Sequence, residues 1–553
     1  MKIISTALVM LVILGALMGF VACDKPDTPD VPQVPDVPQE PDVPQEPHVP
    51  MADPIDDNYR VFYEIFVGSF SDSNGDGTGD LRGIINRFDY LNDGDIADDD
   101  SLGVQGIWLT PIYVSNTYHK YDAIDYYTID PKFGKMEDLE ELIALCHERN
   151  VKLILDLPIN HTSTSHGWFK KFVQAHQQGD VENEYYEYYS YGTAADFVGK
   201  TYNSISGCTG EFYECNFDSG MPELNFDNPD VRQAVLDVAK FYLDLGVDGF
   251  RFDAIKYIYF NETQKSVDFW KWYMGELTAY KEDIYCVGEC WSADAETLRY
   301  VEALNCFNFQ LASSGVEGYI ARAAKGKGLS SYTNYLASYQ QSVLNSNPNG
   351  MVMSFLSNHD NDRIAGALTL SSGLAYMGAN LNILTPGSPF IYYGEEIGMK
   401  GARGSANTDA NRRLAMLWGD DDKVRNPVGT TYSSKYQTNG SVIDHLNNPT
   451  SLLNHYERLI NVRAKYPAIA RGIYTALTYS NSNFGGFKVE YNGTTIGIFH
   501  NTSTEPITID LASATQGGVN FTTLFETLGY GFNNATLNGT TLTIPALSSV
   551  IVG

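Results

Sequence analysis

The sequence predicts an α/β fold: a (β/α)8 TIM barrel with an inserted subdomain after strand 3 and a C-terminal β-sandwich. Three observations predict it. Short apolar runs alternate with helical patterns from residue 60 to about 465. A stretch over 162–226, rich in Tyr, Gly and Asn, breaks the alternation after the third run. From about residue 470 the pattern changes to short alternating runs divided by Asn and Gly. A doubly wound sheet is the alternative.

The candidate strands are 61–66, 106–110, 152–157, 249–253, 284–289, 307–311, 352–356 and 390–393. They are β-branched or aromatic and apolar on both faces, as buried parallel strands require. Between them, 136–149 places Leu139, Leu142, Ile143 and Cys146 at helical spacing, and 231–245 does so with Val235, Val238, Ala239, Tyr242 and Leu243. Asp230 is the expected cap of the second helix. The expected division is 1–23 leader, 24–54 tether, 55–465 barrel with 162–226 inserted, and 466–553 sandwich.

Composition narrows the partners. The chain has 553 residues, 43% apolar and 19% charged, which excludes general disorder. With 68 acidic and 37 basic residues its formal charge is −31. Binding by counterion release needs the opposite balance, so nucleic acid is not an expected partner. Aromatics make up 13%, including 37 Tyr, which suits stacking on sugars but equally suits a large core.

The N-terminus reads as export and anchoring. Lys2 precedes an apolar run to Ala22, and Phe20-Val21-Ala22-Cys23 resembles the lipobox of bacterial lipoproteins. That resemblance implies a lipid on Cys23, a membrane held through it, and a place on the cell envelope, at the outer-membrane surface. Pro26, Pro29, Pro32, Pro35, Pro38, Pro41, Pro44, Pro47 and Pro50 then recur every third residue. Polyproline II has three residues per turn, so this is a spacer reaching on the order of 80 Å at about 3.1 Å per residue.

In a barrel the chemistry sits at the C-terminal ends of the strands. The third candidate strand ends in Asp156-Leu-Pro-Ile-Asn160-His161, and the fourth carries Arg251, Asp253, Ala254 and Lys256. The fifth ends in Gly288-Glu289-Cys-Trp291 and the seventh in Asn358-His359-Asp360. Each residue alone is more often a cap, an ion pair or a core hydrogen bond. Together they suit glycoside hydrolysis, which needs one carboxylic acid to protonate the leaving oxygen and one carboxylate to face the oxocarbenium ion. Arg251 lies two residues before Asp253, so both point to one face of the strand, and its charge is expected to keep Asp253 ionised as a nucleophile needs. Apolar surroundings are expected to raise Glu289 toward a working general acid.

These strand-end motifs resemble the α-amylase family, glycoside hydrolase family 13, over the body from about residue 59 to the end. The resemblance implies that Asp253 is the nucleophile, Glu289 the acid/base, and Asp360 the partner of the sugar's 2- and 3-hydroxyls. It implies that Arg251, His161 and His359 contact the same sugar. In Tyr118-His119-Lys120-Tyr121-Asp122, Tyr121 would stack on that ring and His119 bond to it; Lys256 would face the leaving group. The implied activity is a retaining, endo-acting α-amylase cutting α-1,4 bonds of starch and maltooligosaccharides, with a monomeric catalytic unit. A 4-α-glucanotransferase or an α-1,6-acting glucosidase is the nearest alternative. A non-catalytic glucan binder is disfavoured because all three acidic residues are present. Ala254 resembles α-1,4-acting members, which differ here from many α-1,6-acting ones with Val. Tyr257 replaces the family's frequent His, Glu223 in Met221-Pro-Glu-Leu-Asn225 replaces a usual Asp, and Arg412-Arg413-Leu-Ala-Met416 lacks a common proline.

Asp72, Asn74, Asp76, Thr78 and Asp80 place oxygen donors at every second position, with glycines between, which suits a structural Ca²⁺. Position twelve is Gly83, so an EF-hand is not expected. By the same resemblance Thr78 would contribute its carbonyl. Cys208 and Cys215 flank a short loop and could pair in an oxidising compartment, whereas Cys286 and Cys290, four apart on one strand, are too far apart to bond. No Cys-x-x-Cys spacing points to zinc.

Overall fold

Eight short strands with large side chains on both faces form the central sheet of the computed structural model, which describes residues 57–94, 101–313, 316–531 and 533–553. The leader, Cys23 and the proline tether lie outside the described residues. The strands are β1 (Phe62–Ile65), β2 (Gly106–Leu109), β3 (Lys152–Leu157), β4 (Gly249–Phe252), β5 (Tyr285–Gly288), β6 (Asn305–Cys306), β7 (Met353–Phe355) and β8 (Ser388–Tyr392). Their order is β6-β5-β4-β3-β2-β1-β8-β7 and every pairing is parallel. A parallel bridge between Phe307 and Met353 joins the two ends, so the sheet closes as a barrel.

Strand alternation divides the core in two. Phe62, Trp108, Ile154, Tyr285, Val287, Phe307, Met353 and Phe390 fill the barrel interior. Their neighbours Tyr63, Ile107, Leu109, Phe250 and Phe252 face outward into the larger core shared with the helices. The inner face is apolar low in the barrel and turns charged toward the strands' C-terminal ends, which is where the expected purely apolar pattern fails: Glu64, Asp156 and Arg251 all sit on strands and are buried.

The helices follow the apolar spacing. Met136–Glu148 buries Leu139, Leu142, Ile143 and Cys146. Pro229–Leu245 starts with Pro in its first turn and stops at Gly246, whose φ of 106° needs glycine. Its cap is Asn228 rather than Asp230: the Asn228 side chain accepts the Asp230 N–H at 2.9 Å, because Pro229 occupies the first helical position.

The sixth strand also departs from expectation. It spans Asn305–Cys306, not 307–311. Asn308 Oδ1 accepts the N–H groups of Gln310 and Leu311, both at 2.9 Å, and turns the chain out of the sheet. Phe307 and Phe309 then fill the interior.

Between β3 and β4 lie the helix Gly167–Gln178 and a small antiparallel sheet of Tyr191–Gly192, Phe212–Glu214 and Tyr202–Ser204. A bridge between His161 and Glu223 ties this segment to the rim of the barrel. After the barrel come two antiparallel sheets. One has five strands, Ile473–Thr478, Phe484–Tyr491, Thr494–Asn501, Ser548–Val552 and Leu524–Gly529; the other has three, Ile507–Asp510, Thr541–Ile544 and Thr536–Asn538. Phe484, Phe499, Leu542, Ile544 and Val550 pack between them. Asn380 bonds this region to the barrel, donating to Leu528 O at 2.9 Å and Ser549 Oγ at 3.0 Å.

Candidate active site

Register brings the first charges together. Asp156 on β3 lies opposite Arg251 on β4, and Val287 of β5 flanks Arg251 on its other side. The Arg251 side chain is fully buried. Its Nη1 donates to Asp156 Oδ1 at 2.9 Å, to Asp156 Oδ2 at 3.0 Å and to Asp253 Oδ1 at 2.6 Å. Its Nη2 lies 3.0 Å from Glu289 Oε2, an ion pair out of line for a hydrogen bond. One guanidinium thus spans three carboxylates, a task for a planar fork rather than a point charge. It also lies over the Trp108 ring, 5.2 Å from its centroid.

Turns at the strand ends hold the acids. After Asp253 the chain enters the left-handed region at Ala254, with φ 48°. The Ala254 N–H donates to Glu289 Oε2 at 3.1 Å, and the Glu289 N–H to Phe252 O at 2.9 Å. Asp253 and Glu289 therefore sit on neighbouring strand ends against the same cation.

A second cation set serves Asp360. Arg413 Nη2 contacts Asp360 Oδ1 at 2.7 Å and His359 Nε2 contacts Oδ2 at 3.0 Å. His359 Nδ1 meets Glu64 Oε1 at 2.5 Å across the barrel. Tyr121 stacks on His359 with ring centroids 5.4 Å apart, and its hydroxyl donates to Asp156 Oδ2 at 2.8 Å.

Burial and these partners set the protonation. Burial pushes Glu289 up to about 7 against the pull of Arg251, and the charges of Asp253 and Asp360 add to the rise. Burial also raises Asp253; Arg251 opposes this, as the sequence led one to expect, but desolvation outweighs it. Burial works against charge on Asp360 too, yet His359 and Arg413 hold it well below the usual carboxylate value. For His359, burial is overcome by Asp360 and Glu64, which push it up to about 10. His119 and His161 go the other way, down to about 4, chiefly through burial. His119 Nδ1 accepts the Tyr121 N–H at 3.2 Å, leaving Nε2 as its donor.

Asp253, Glu289, Asp360, Arg251, His359 and Tyr121 thus form one connected network. His119 and His161 adjoin it through the Tyr121 backbone, His161 Nε2 lying 3.2 Å from Tyr121 O. Lys256 stands to one side, donating to Trp291 O at 2.8 Å. With Ala254, Tyr257, Phe217 and Trp291 it lines a pocket of about 190 Å³ that opens onto Glu289. Of the other residues that carry the network, Glu64 was absent from the sequence motifs, and Asp156 and Arg413 stood in them without a role. A period-2 reading of the first strand, which puts Glu64 on the face of Phe62, was the available signal for one of them.

In the loop of residues 72–80 the oxygen donors are engaged by the loop itself. Asp72 Oδ1 accepts the N–H groups of Asn74 and Gly75 at 3.1 and 2.7 Å, and its Oδ2 that of Gly77 at 2.7 Å. Asn74 Oδ1 accepts from Asp76 N at 2.9 Å, and Asp76 Oδ1 from Thr78 N at 2.7 Å. Asp80 caps the helix Leu81–Asn86 with one oxygen and receives Ser73 and Asn74 with the other. Among the described residues no group of three His, Cys, Asp or Glu side chains gathers to hold a metal ion. The donor set is nonetheless all oxygen, the chemistry hard cations prefer. The described cysteines are all free, so Cys208 and Cys215 do not pair here.

A family model described as "Alpha amylase, catalytic domain" matches residues 64–472. "Alpha-amylase 3" of Dictyoglomus thermophilum is 35% identical over 457 residues, covering 80% of this chain and 84% of that protein. "Oligo-1,6-glucosidase" of Bacillus cereus is 28% identical, covering 82% and 91%. The solved structure of Eubacterium rectale Amy13B superposes with a TM-score of 0.81 at 34% identity, covering 91% of this chain and 97% of that one. With the barrel, the acids at its strand ends and these matches together, the chain belongs to the α-amylase family of glycoside hydrolases, family 13.

Proposed function

We propose that this glycoside hydrolase is a retaining, endo-acting α-amylase that cleaves α-1,4 bonds of starch and maltooligosaccharides. The observation that carries the reading is the Arg251 guanidinium held between Asp253, at 2.6 Å, and Glu289, at 3.0 Å. It sets a nucleophile and a general acid on neighbouring strand ends at the barrel mouth, against one shared cation. Glu289, near 7, gives its proton to the glycosidic oxygen as that bond breaks. An Asp253 oxygen bonds the anomeric carbon as the leaving sugar departs. Glu289, now a carboxylate, takes a proton from water, whose oxygen replaces Asp253 at the same carbon. Two displacements return the starting configuration. Asp360, fixed by Arg413 and His359, accepts from ring hydroxyls.

One feature supports action on α-1,4 bonds. Ala254, as in α-1,4-acting members, keeps the pocket beside Glu289 wide. The test supplies amylose, pullulan and isomaltooligosaccharides separately. Short α-configured maltooligosaccharides from amylose are expected, and Asp253→Asn loses turnover by at least about 10³-fold while keeping glucan affinity. Activity confined to the α-1,6 substrate overturns the bond assignment.

We also propose that Ca²⁺ occupies the 72–80 loop as a structural ion, held by Asp72, Asn74, Asp76, the Thr78 carbonyl and Asp80. The all-oxygen donor set supports it. Excess chelator then lowers the melting temperature and added Ca²⁺ restores it; an unchanged melting curve removes the ion from the account.

A further inference from the structure

Glu64 is a carboxylate in a place that packing alone would give to an apolar side chain. It stands on β1, 1% exposed, with Trp108 of β2 and Tyr392 of β8 as its register neighbours. Phe62, two residues earlier on the same face, belongs to the apolar filling of the barrel. A carboxylate there carries a desolvation cost that a leucine would avoid. Its contacts lead to one residue. Glu64 Oε1 accepts the His359 backbone N–H at 3.3 Å and meets the ring Nδ1 at 2.5 Å.

The far side of that ring fixes its protons. Nε2 lies 2.7 Å from the Tyr121 hydroxyl and 3.0 Å from Asp360 Oδ2. The one hydroxyl proton of Tyr121 goes to Asp156 Oδ2 at 2.8 Å, so Tyr121 can only accept from His359. Asp360, as a carboxylate, also only accepts. Nε2 therefore carries a proton, and Nδ1, facing Glu64, carries another. A ring with a single proton would turn a bare lone pair on one of these acceptors. The other charged groups around the ring are already engaged. Arg251 and Asp156 pair with each other, and Arg413 donates to the His359 carbonyl at 3.0 Å while it holds Asp360. Glu64 is thus the counter-charge on the Nδ1 side.

We propose that Glu64 is a positioning residue for glycoside cleavage: by holding His359 as an imidazolium it turns a charged donor onto Asp360, which keeps that carboxylate ionised and aimed at the sugar's hydroxyls. The inference rests on the double-displacement reading above and on the role given there to Asp360, and deepens both. Glu64 touches neither sugar nor reacting atoms and acts only through the ring. Glutamine in its place keeps the volume and an acceptor oxygen for Nδ1 but removes the charge. His359 then gives up one proton at a lower pH. A neutral ring can serve Glu64's position or Asp360, not both.

The experiment follows kcat/KM of the whole protein on an activated aryl maltotrioside across pH. That leaving group needs no proton, so the alkaline limb of Glu289 is absent from the profile. With His359 held near 10, the wild-type rate is expected to show no fall up to pH 9. Losing one facing carboxylate lowers a cation's value by about 1–3 units. Glu64→Gln is therefore expected to show a new alkaline limb, its ratio of rates at pH 9 and pH 6 lying about tenfold below the wild type's. A profile parallel to wild type in the folded variant overturns the positioning role. Should the melting curve show an unfolded variant, the nitrogen chemical shifts of the wild-type His359 ring decide. Protons on both nitrogens at pH 8 are expected, and one bare nitrogen overturns the inference. Turnover retained in Asp253→Asn overturns the displacement reading itself, so the two failures are distinct.

Discussion

Two sets of carboxylates are buried in this barrel, and they differ in what serves them. At the mouth, Asp156, Asp253, Glu289, Asp360 and Glu64 are served by cations: Arg251, Arg413 and His359. Just past β8, Glu395 and Glu396 are served by hydroxyls. Glu395 accepts from Tyr456 at 2.8 Å and Ser357 at 3.0 Å; Glu396 accepts from Tyr63 at 2.7 Å and Tyr90 at 2.6 Å. The nearby Arg363 spends its N–H groups on the carbonyls of Tyr393 and Arg412 and stacks on Tyr392 and Tyr393. Burial pushes Glu395 up to about 8 with no ion pair to reverse it. Burial raises Asp253 and Glu289 as it raises Glu395; what sets the mouth apart is that its acids share one cation beside an open pocket.

The same substitution in each set breaks the comparison if the two respond alike. Glu289→Gln removes the proton donor while keeping shape, and hydrolysis of maltooligosaccharides is expected to fall by about 10³-fold. With Glu289 near 7, the wild-type rate depends on its protonated form and declines as pH rises through that value. The variant's residual rate has no such limb. An activated aryl glucoside, whose leaving group needs no proton, is expected to lose far less. Steady-state kinetics across pH on both substrates check this, and equal losses on the two remove Glu289 from the acid role.

How much of this was legible differs by the range of the interaction. Strand-end residues were readable because period-2 alternation and the fold fix where they point: Arg251 and Asp253 share a face whatever else packs there. Partners across the barrel were not. Glu64 sits in an apolar run and meets His359 only because β1 and the end of β7 are brought round the closed sheet, 295 positions apart in sequence. Arg413 lies in an irregular segment with no period to aim it, yet it holds Asp360. The capping error had a local cause, since Pro229 moves the helix start two residues earlier and hands the cap to Asn228. The sixth strand failed because alternating Phe307 and Phe309 look like a strand, while the Asn308 turn that ends pairing leaves little trace in the apolar pattern. The apolar surroundings of Glu289 were legible from its strand; the dominance of burial over Arg251 at Asp253 was not, because it depends on how completely the rim closes.

The smaller effect lies at Glu395→Gln. Glu395 keeps a proton in the folded state up to about 8, whereas in the unfolded chain it loses it near the ordinary glutamate value of about 4.3. Between those values the folded protein binds the extra proton, so stability falls as pH rises through the window. Gln presents an oxygen to Tyr456 and an amide N–H to Ser357, which resembles the protonated acid and does not titrate. The variant is therefore expected to keep wild-type activity, to match wild-type melting near pH 5, and to melt higher than wild type near pH 8. Thermal melts at intermediate pH should show the gap opening steadily between these ends. Parallel melting curves would place Glu395 among the ionised carboxylates and erase the distinction between the two sets.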